Sequence, residues 1–189
     1  MKRKKYLPQK KAKRNTYMYF LGALIILIMV GGAINMDTED DGDSYDYNGI
    51  KFVRVNEGWL AYLGDGKQIY VLNNPGELNN MSLSNVYYSN LNMMEKIYIT
   101  YNPEERVRTA LSQFYNGISL TPRKVPACSV NVELCADVPI KTCEDATETI
   151  GIVEFKQSNE TIVEFKNNCL LIQGEDLTKI VDKLILEQL

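Results

Sequence analysis

The spacing of apolar positions changes several times along the chain, and each change predicts a different element. Tyr17 to Ile34 is apolar without interruption: eighteen residues with no charge, Asn, Gln or Pro. As a helix it would be about 27 Å long, close to the roughly 30 Å hydrocarbon core of a bilayer. From Ile50 the pattern becomes short and strand-like. Ile50–Val55, Trp59–Leu63 and Lys67–Leu72 are β-branched and aromatic runs, punctuated by Asn56-Glu57-Gly58 and Gly64-Asp65-Gly66. That spacing predicts a three-stranded meander. Residues 73–92 are rich in Asn and Ser and read as an irregular connection.

Lys96–Tyr101 predicts another strand, followed by a helix with Asn102 as N-cap, Pro103 at its first position and Glu105 at its third. Val107, Ala110, Leu111 and Phe114 recur at helical spacing on one stripe, and Asn116-Gly117 supplies a stop. Residues 118–148 carry three prolines, three cysteines and little periodicity. Thr149–Lys156, Thr161–Lys166 and Cys169–Gln173 read as three successive strands. Glu175 and Asp176 then open a helix with Leu177, Ile180, Val181, Leu184 and Ile185 on one face. The predicted class is α+β: antiparallel meanders, two packed helices and disulfide staples behind one transmembrane helix.

Charge gives the apolar run a direction. Eight basic residues precede it within residues 1–14, no acid occurs before Asp37, and Asp37, Glu39, Asp40, Asp41, Asp43 and Asp46 follow. Basic residues hold their end of a membrane helix in the cytoplasm. The expected organisation is a basic cytoplasmic tail at 1–16 and a membrane helix at 17–34. An acidic tether at 35–48 and an extracytoplasmic domain at 49–189 follow. A cleaved signal peptide, cut after Gly31 and Ala33, and a soluble core helix are the competing readings. The first needs a shorter apolar run and the second a polar face. The expected partners are the lipid bilayer, through residues 17–34, and an envelope or membrane protein.

Beyond residue 35 there are 13 basic and 24 acidic residues, a net of −11, which argues against nucleic acid as a partner. The chain has no histidine. That excludes Ser-His-Asp and Cys-His nucleophiles and His-ligated metals. No cofactor motif occurs, and the reading leans away from an enzyme. The four cysteines, Cys128, Cys135, Cys143 and Cys169, allow three pairings. Cys128–Cys135 with Cys143–Cys169 is the favoured one in an oxidising exterior. A four-thiolate zinc site or a redox pair is disfavoured by the lack of C-x2-C spacing.

Other chemistry is weaker. Asn80-Met81-Ser82 and Asn159-Glu160-Thr161 are glycosylation sequons. Residues 37–48 partly imitate a calcium loop, but Asn48 stands where a bidentate Glu belongs. Glu144, Asp145 and Glu148 are the nearest approach to an acidic cluster, and a carboxylate-based surface hydrolase or transferase would use them. Contact surfaces are expected at residues 73–92 and around Trp59, Tyr62 and Tyr70, although packing is the better reading of Trp59. A pilus- or secretion-related subunit is a further alternative, disfavoured by the charges just before the span.

One resemblance covers much of residues 48–189. The segments Thr142-Cys143-Glu144-Asp145-Ala146, Ile152-Val153-Glu154-Phe155, Thr161–Phe165, Asn168–Ile172 and Leu177–Leu184, with Ile97-Tyr98-Ile99 and Asn102-Pro103-Glu104-Glu105 earlier, form the pattern. Together they resemble uncharacterised archaeal single-pass membrane proteins. The resemblance implies a cell-surface protein and a Cys143–Cys169 link. It implies no activity, cofactor or catalytic residue.

Overall fold

Asn48-Gly49, Asn56 and Asn167-Asn168 all adopt positive φ, and each lies in the turn of an antiparallel hairpin. Asn and Gly tolerate this conformation, whose twist matches that of the flanking strands. The computed structural model describes residues 43–83 and 89–189, with Gly22, Leu24 and Ile25 in the N-terminal segment. Residues 1–41 and 42–189 form separate units. The expected span at 17–34 therefore lies outside the described residues apart from those three. Among the described residues no helix is long and apolar enough to cross a membrane.

The first sheet is the antiparallel meander β1–β2–β3–β4, with β1 at Ser44–Tyr47, β2 at Ile50–Val55, β3 at Gly58–Tyr62 and β4 at Gln68–Val71. β1 is an addition to the expectation, which places residues 44–47 in the acidic tether. A short helix α1 at Pro75–Asn79 follows, capped by Asn74, whose side chain accepts from the Gly76 amide at 2.8 Å. The chain continues with β5 at Lys96–Tyr101, α2 at Arg108–Gly117 and β6 at Arg123–Cys128. It ends with β7 at Ile150–Gln157, β8 at Ile162–Lys166, β9 at Cys169–Gly174 and α3 at Leu177–Leu186.

The class is α+β, but the second half is not a meander, and residues 43–83 and 89–189 hold three α-helices where two packed ones are expected. The second sheet runs β6-β5-β7-β9-β8, with parallel pairing throughout except between β8 and β9. β9 lies between β7 and β8, which do not pair. Its run Leu170-Leu171-Ile172 has the continuous apolar character of a central strand. β8 alternates Val163, Glu164, Phe165 and Lys166, which suits an edge. β6 forms the opposite edge, where Pro126 is tolerated.

α2 begins at Arg108, later than its cap signal suggests. The Asn102 side chain accepts from the Glu104 amide at 3.1 Å in a local turn. Glu105 Oε2 accepts from the Gln157 backbone amide at the end of β7, while its Oε1 accepts from the Asn102 side-chain amide at 3.4 Å rather than from the Asn102 backbone N–H. The Gln157 side chain in return accepts from the Arg106 amide at 3.1 Å. The first turn of the expected helix is thus spliced onto the second sheet. The stripe Val107, Ala110, Leu111 and Phe114 is buried as expected.

The helices lie between the sheets. Phe114 of α2 meets Phe155 of β7 edge-on, with centroids 5.4 Å apart. α3 is buried over most of its surface, including Asp182 and Lys183, with Thr178 and Lys179 half-buried. A helix so largely enclosed is a core element rather than a surface one. Toward the second sheet, Ile180 sits where a side chain on Gly174 would project. Toward the first, the Lys183 ammonium donates to the Tyr47 hydroxyl at 3.3 Å. Gly117 lets α2 and α3 approach closely, because a Cβ there would run into Ile185. One continuous core joins Phe52, Trp59 and Val71 to Phe114, Leu170, Ile172 and Ile180.

Candidate functional site

A broad groove runs along the free edge of β4. Leu63 N donates to Lys67 O at 2.8 Å, which turns Lys67 toward β3. In an antiparallel ladder that orientation alternates. Ile69 and Val71 therefore also bond to β3, while the N–H and C=O groups of Gln68 and Tyr70 point away from it. Leu72 N points the same way and is taken by Asp182 at 3.0 Å. Only the end of the edge is closed by this carboxylate. The remainder opens into a groove of about 780 Å³, within the size range of ligand clefts.

The opposite wall is the C-terminal half of α2 with residues 117–120. Ile118, Leu120 and Ile185 supply apolar surface there, and Leu60 and Tyr70 supply it on the sheet side. The charged side chains that line the groove are Lys67 and Lys124, with no Asp or Glu. The Lys124 ammonium is 5.8 Å from the centre of the Tyr115 ring. Burial raises the Tyr115 hydroxyl above its ordinary pKa, and nearby Tyr101 adds to this.

Asp182 fixes the groove's geometry. Its Oδ2 accepts from Leu72 N at 3.0 Å, Asn73 N at 2.8 Å and Asn73 Nδ2 at 2.8 Å; its Oδ1 accepts from Gln113 Nε2 at 2.8 Å. One fully buried carboxylate thus ties α3 to α2 and to the end of β4. Burial nevertheless raises its pKa, since the four donors only partly replace lost water. Sequence reasoning passed over both Asp182 and Gln113. The available signal was an acid set between the apolar pairs Ile180-Val181 and Leu184-Ile185 of one helix.

The expected contact residues separate. Trp59 points into the core, whereas Tyr62 and Tyr70 lie on the outer face of the first sheet with Val53 and Leu60. In the loop at 73–92, Leu78 and Leu91 are buried and Asn73 is bound to Asp182. Residues 84–88 lie outside the described residues. Asn80 and Asn159 are both exposed. Of the calcium-like stretch, Asp37, Glu39 and Asp41 are outside the described residues. Asp43 pairs with Arg54 at 2.8 Å, and Asp46 accepts from the Gly49 amide at 2.8 Å.

The cysteines pair as Cys128–Cys135 and Cys143–Cys169, with Cα separations of 6.1 and 5.3 Å. Donor atoms of Cys143, Glu154 and Cys169 lie within 4.8 Å of one another. Both sulfurs are committed to the disulfide, so this set offers a metal one carboxylate. That carboxylate already accepts from Cys143 N at 2.8 Å. Asp145 is engaged as well: Oδ2 accepts from Thr142 N at 2.9 Å and Oδ1 pairs with the Lys141 ammonium at 3.0 Å. The Thr142 bond chiefly, and Lys141 next, hold its pKa below the ordinary value. Glu144 and Glu148 are exposed. Comparison with family models, with curated proteins and with solved structures gives no match.

Proposed function

We propose that the chain is a membrane-tethered binding module whose folded domain faces outward and docks another protein of the cell envelope. The observation that carries this reading is the open edge of β4. It offers backbone donors and acceptors into a groove of mixed apolar and polar lining, and such an edge is a ready template for another chain. The charge asymmetry around residues 17–34 supports the anchor and its orientation. The two disulfides, with no free cysteine, fit an oxidising exterior. The likeness to archaeal single-pass membrane proteins points the same way.

Two measurements test it. Protease added to intact cells should remove residues 43–189 and spare a fragment containing the apolar run; full protection would reverse the orientation. Crosslinking in native membranes, followed by mass spectrometry, should recover a stoichiometric exterior or membrane protein. Recovery of this chain alone would count against a docking role.

A further inference from the structure

We infer that the β4 edge takes up an extended acidic segment of a partner protein, which adds a fifth strand to the first sheet. The inference rests on the binding reading above and specifies its ligand. Three observations carry it. The N–H and C=O groups of Gln68 and Tyr70 face the groove, in the geometry that a further strand would satisfy. The groove's walls are mixed: Leu60 and Tyr70 on one side and Ile118, Leu120 and Ile185 at the base of the other stand among polar side chains such as Gln68, Ser112, Asn116 and Gln188. A strand turns alternate side chains to opposite sides, so an inserted segment would meet apolar and hydrogen-bonding surface on both.

The third observation is charge. Residues 43–189 carry 13 basic and 20 acidic side chains, a net of −7, yet the groove is lined by two lysines and no acidic side chain. A site of this sign on a domain of the opposite sign selects against basic segments and favours Asp or Glu beside the inserted strand. A second copy fits less well. Pairing β4 with β4 would bring two further lysines into the groove. The wall formed by α2 and residues 117–120 would also obstruct another folded sheet, while leaving room for a single segment.

The test pans the full-length chain, held in detergent micelles, against a phage-displayed library of random short peptides. Affinities of the enriched peptides are then measured by fluorescence anisotropy. Enrichment is expected for peptides alternating β-branched or aromatic residues with Asp and Glu, with affinity falling as salt rises. Gln68→Pro removes an N–H that faces the groove without removing a bond to β3, and proline is tolerated at such an edge position. It should weaken binding about fivefold or more, the value of one hydrogen bond, with an unchanged circular dichroism spectrum. Should that variant misfold, N-methylating successive amides of the peptide gives the same information. Only alternate positions should abolish binding. Lys67→Glu with Lys124→Glu should turn the preference from acidic to basic peptides.

Absence of enriched peptides, indifference to Gln68→Pro and to N-methylation, or an unchanged charge preference would each overturn the inference. A dimer of the chain that Gln68→Pro dissociates would assign the edge to a second copy, with the same consequence. Failure here alongside a stoichiometric partner in native crosslinking would leave the binding reading standing and place its surface elsewhere.

Discussion

The two sheets are finished in opposite ways. On the second, the loop at 129–148 is fixed covalently: Cys128–Cys135 closes it on itself and Cys143–Cys169 ties it to β9. Noncovalent contacts then fill in, with the Thr100 hydroxyl donating to Lys141 O at 2.6 Å and Glu154 accepting from Cys143 N. On the first sheet, the end of β4 is held by a single buried carboxylate, Asp182, and the rest of the edge is unpaired. The contrast shows where this fold places cross-links. They fall where the sequence has too little periodic apolar pattern to hold the backbone, and none lies at the β4 edge.

If covalent restraint dominates on the second sheet, Cys143→Ser with Cys169→Ser should have the largest effect. That bridge spans 26 residues, and its loss should cost about 3–4 kcal/mol in urea unfolding by the loop-entropy relation. Opening Cys128–Cys135, which spans 7 residues, should cost about 2 kcal/mol. The reverse order would show that noncovalent contacts, not the staple, hold the loop to β9.

Asp182→Ala attacks the noncovalent side. It leaves the Leu72 and Asn73 amides and the Gln113 side chain without their acceptor, and should cost about 2–3 kcal/mol. Asp182→Asn gives a finer test through pH. Burial raises the Asp182 pKa above its ordinary 3.8, so the native chain takes up this proton at higher pH than the unfolded chain. The resulting contribution to stability is complete below about 3.8 and is lost as pH rises through the raised value. The stability of wild type relative to Asp182→Asn should therefore fall as pH rises from about 3.8 toward neutrality. A flat difference would refute the desolvation argument. The smallest effect is expected from Tyr62→Ser on the outer face, where Tyr62 is 67% exposed. It should change stability by less than about 0.5 kcal/mol.

The same contrast explains what could be read in the sequence. The meander of the first sheet was legible because its turns carry local chemistry, as at Asn56-Glu57-Gly58. Even there β1 was missed, although Asn48-Gly49 between Tyr47 and Ile50 is a hairpin signal. The second sheet was misread because order within a sheet is a long-range property. Adjacency in sequence suggested that β7 pairs with β8, and only the unbroken apolar run of β9 hinted at its central place. The cap of α2 was a local rule overridden by a tertiary one, when Glu105 found the amide of Gln157. The groove left no local trace at all. It arises where the edge of β4 passes the end of α2, and its lining comes from elements far apart in the chain.

The most direct test of the account places a photocrosslinking residue at position 68 and, as a control, at exposed Asp46 on the far edge of the same sheet. Irradiation in native membranes should give one discrete adduct from position 68, none from position 46, and loss of that adduct when an acidic strand-forming peptide is added. Equal labelling from both positions, or an adduct at 68 that the peptide does not displace, would contradict a docking site at the β4 edge.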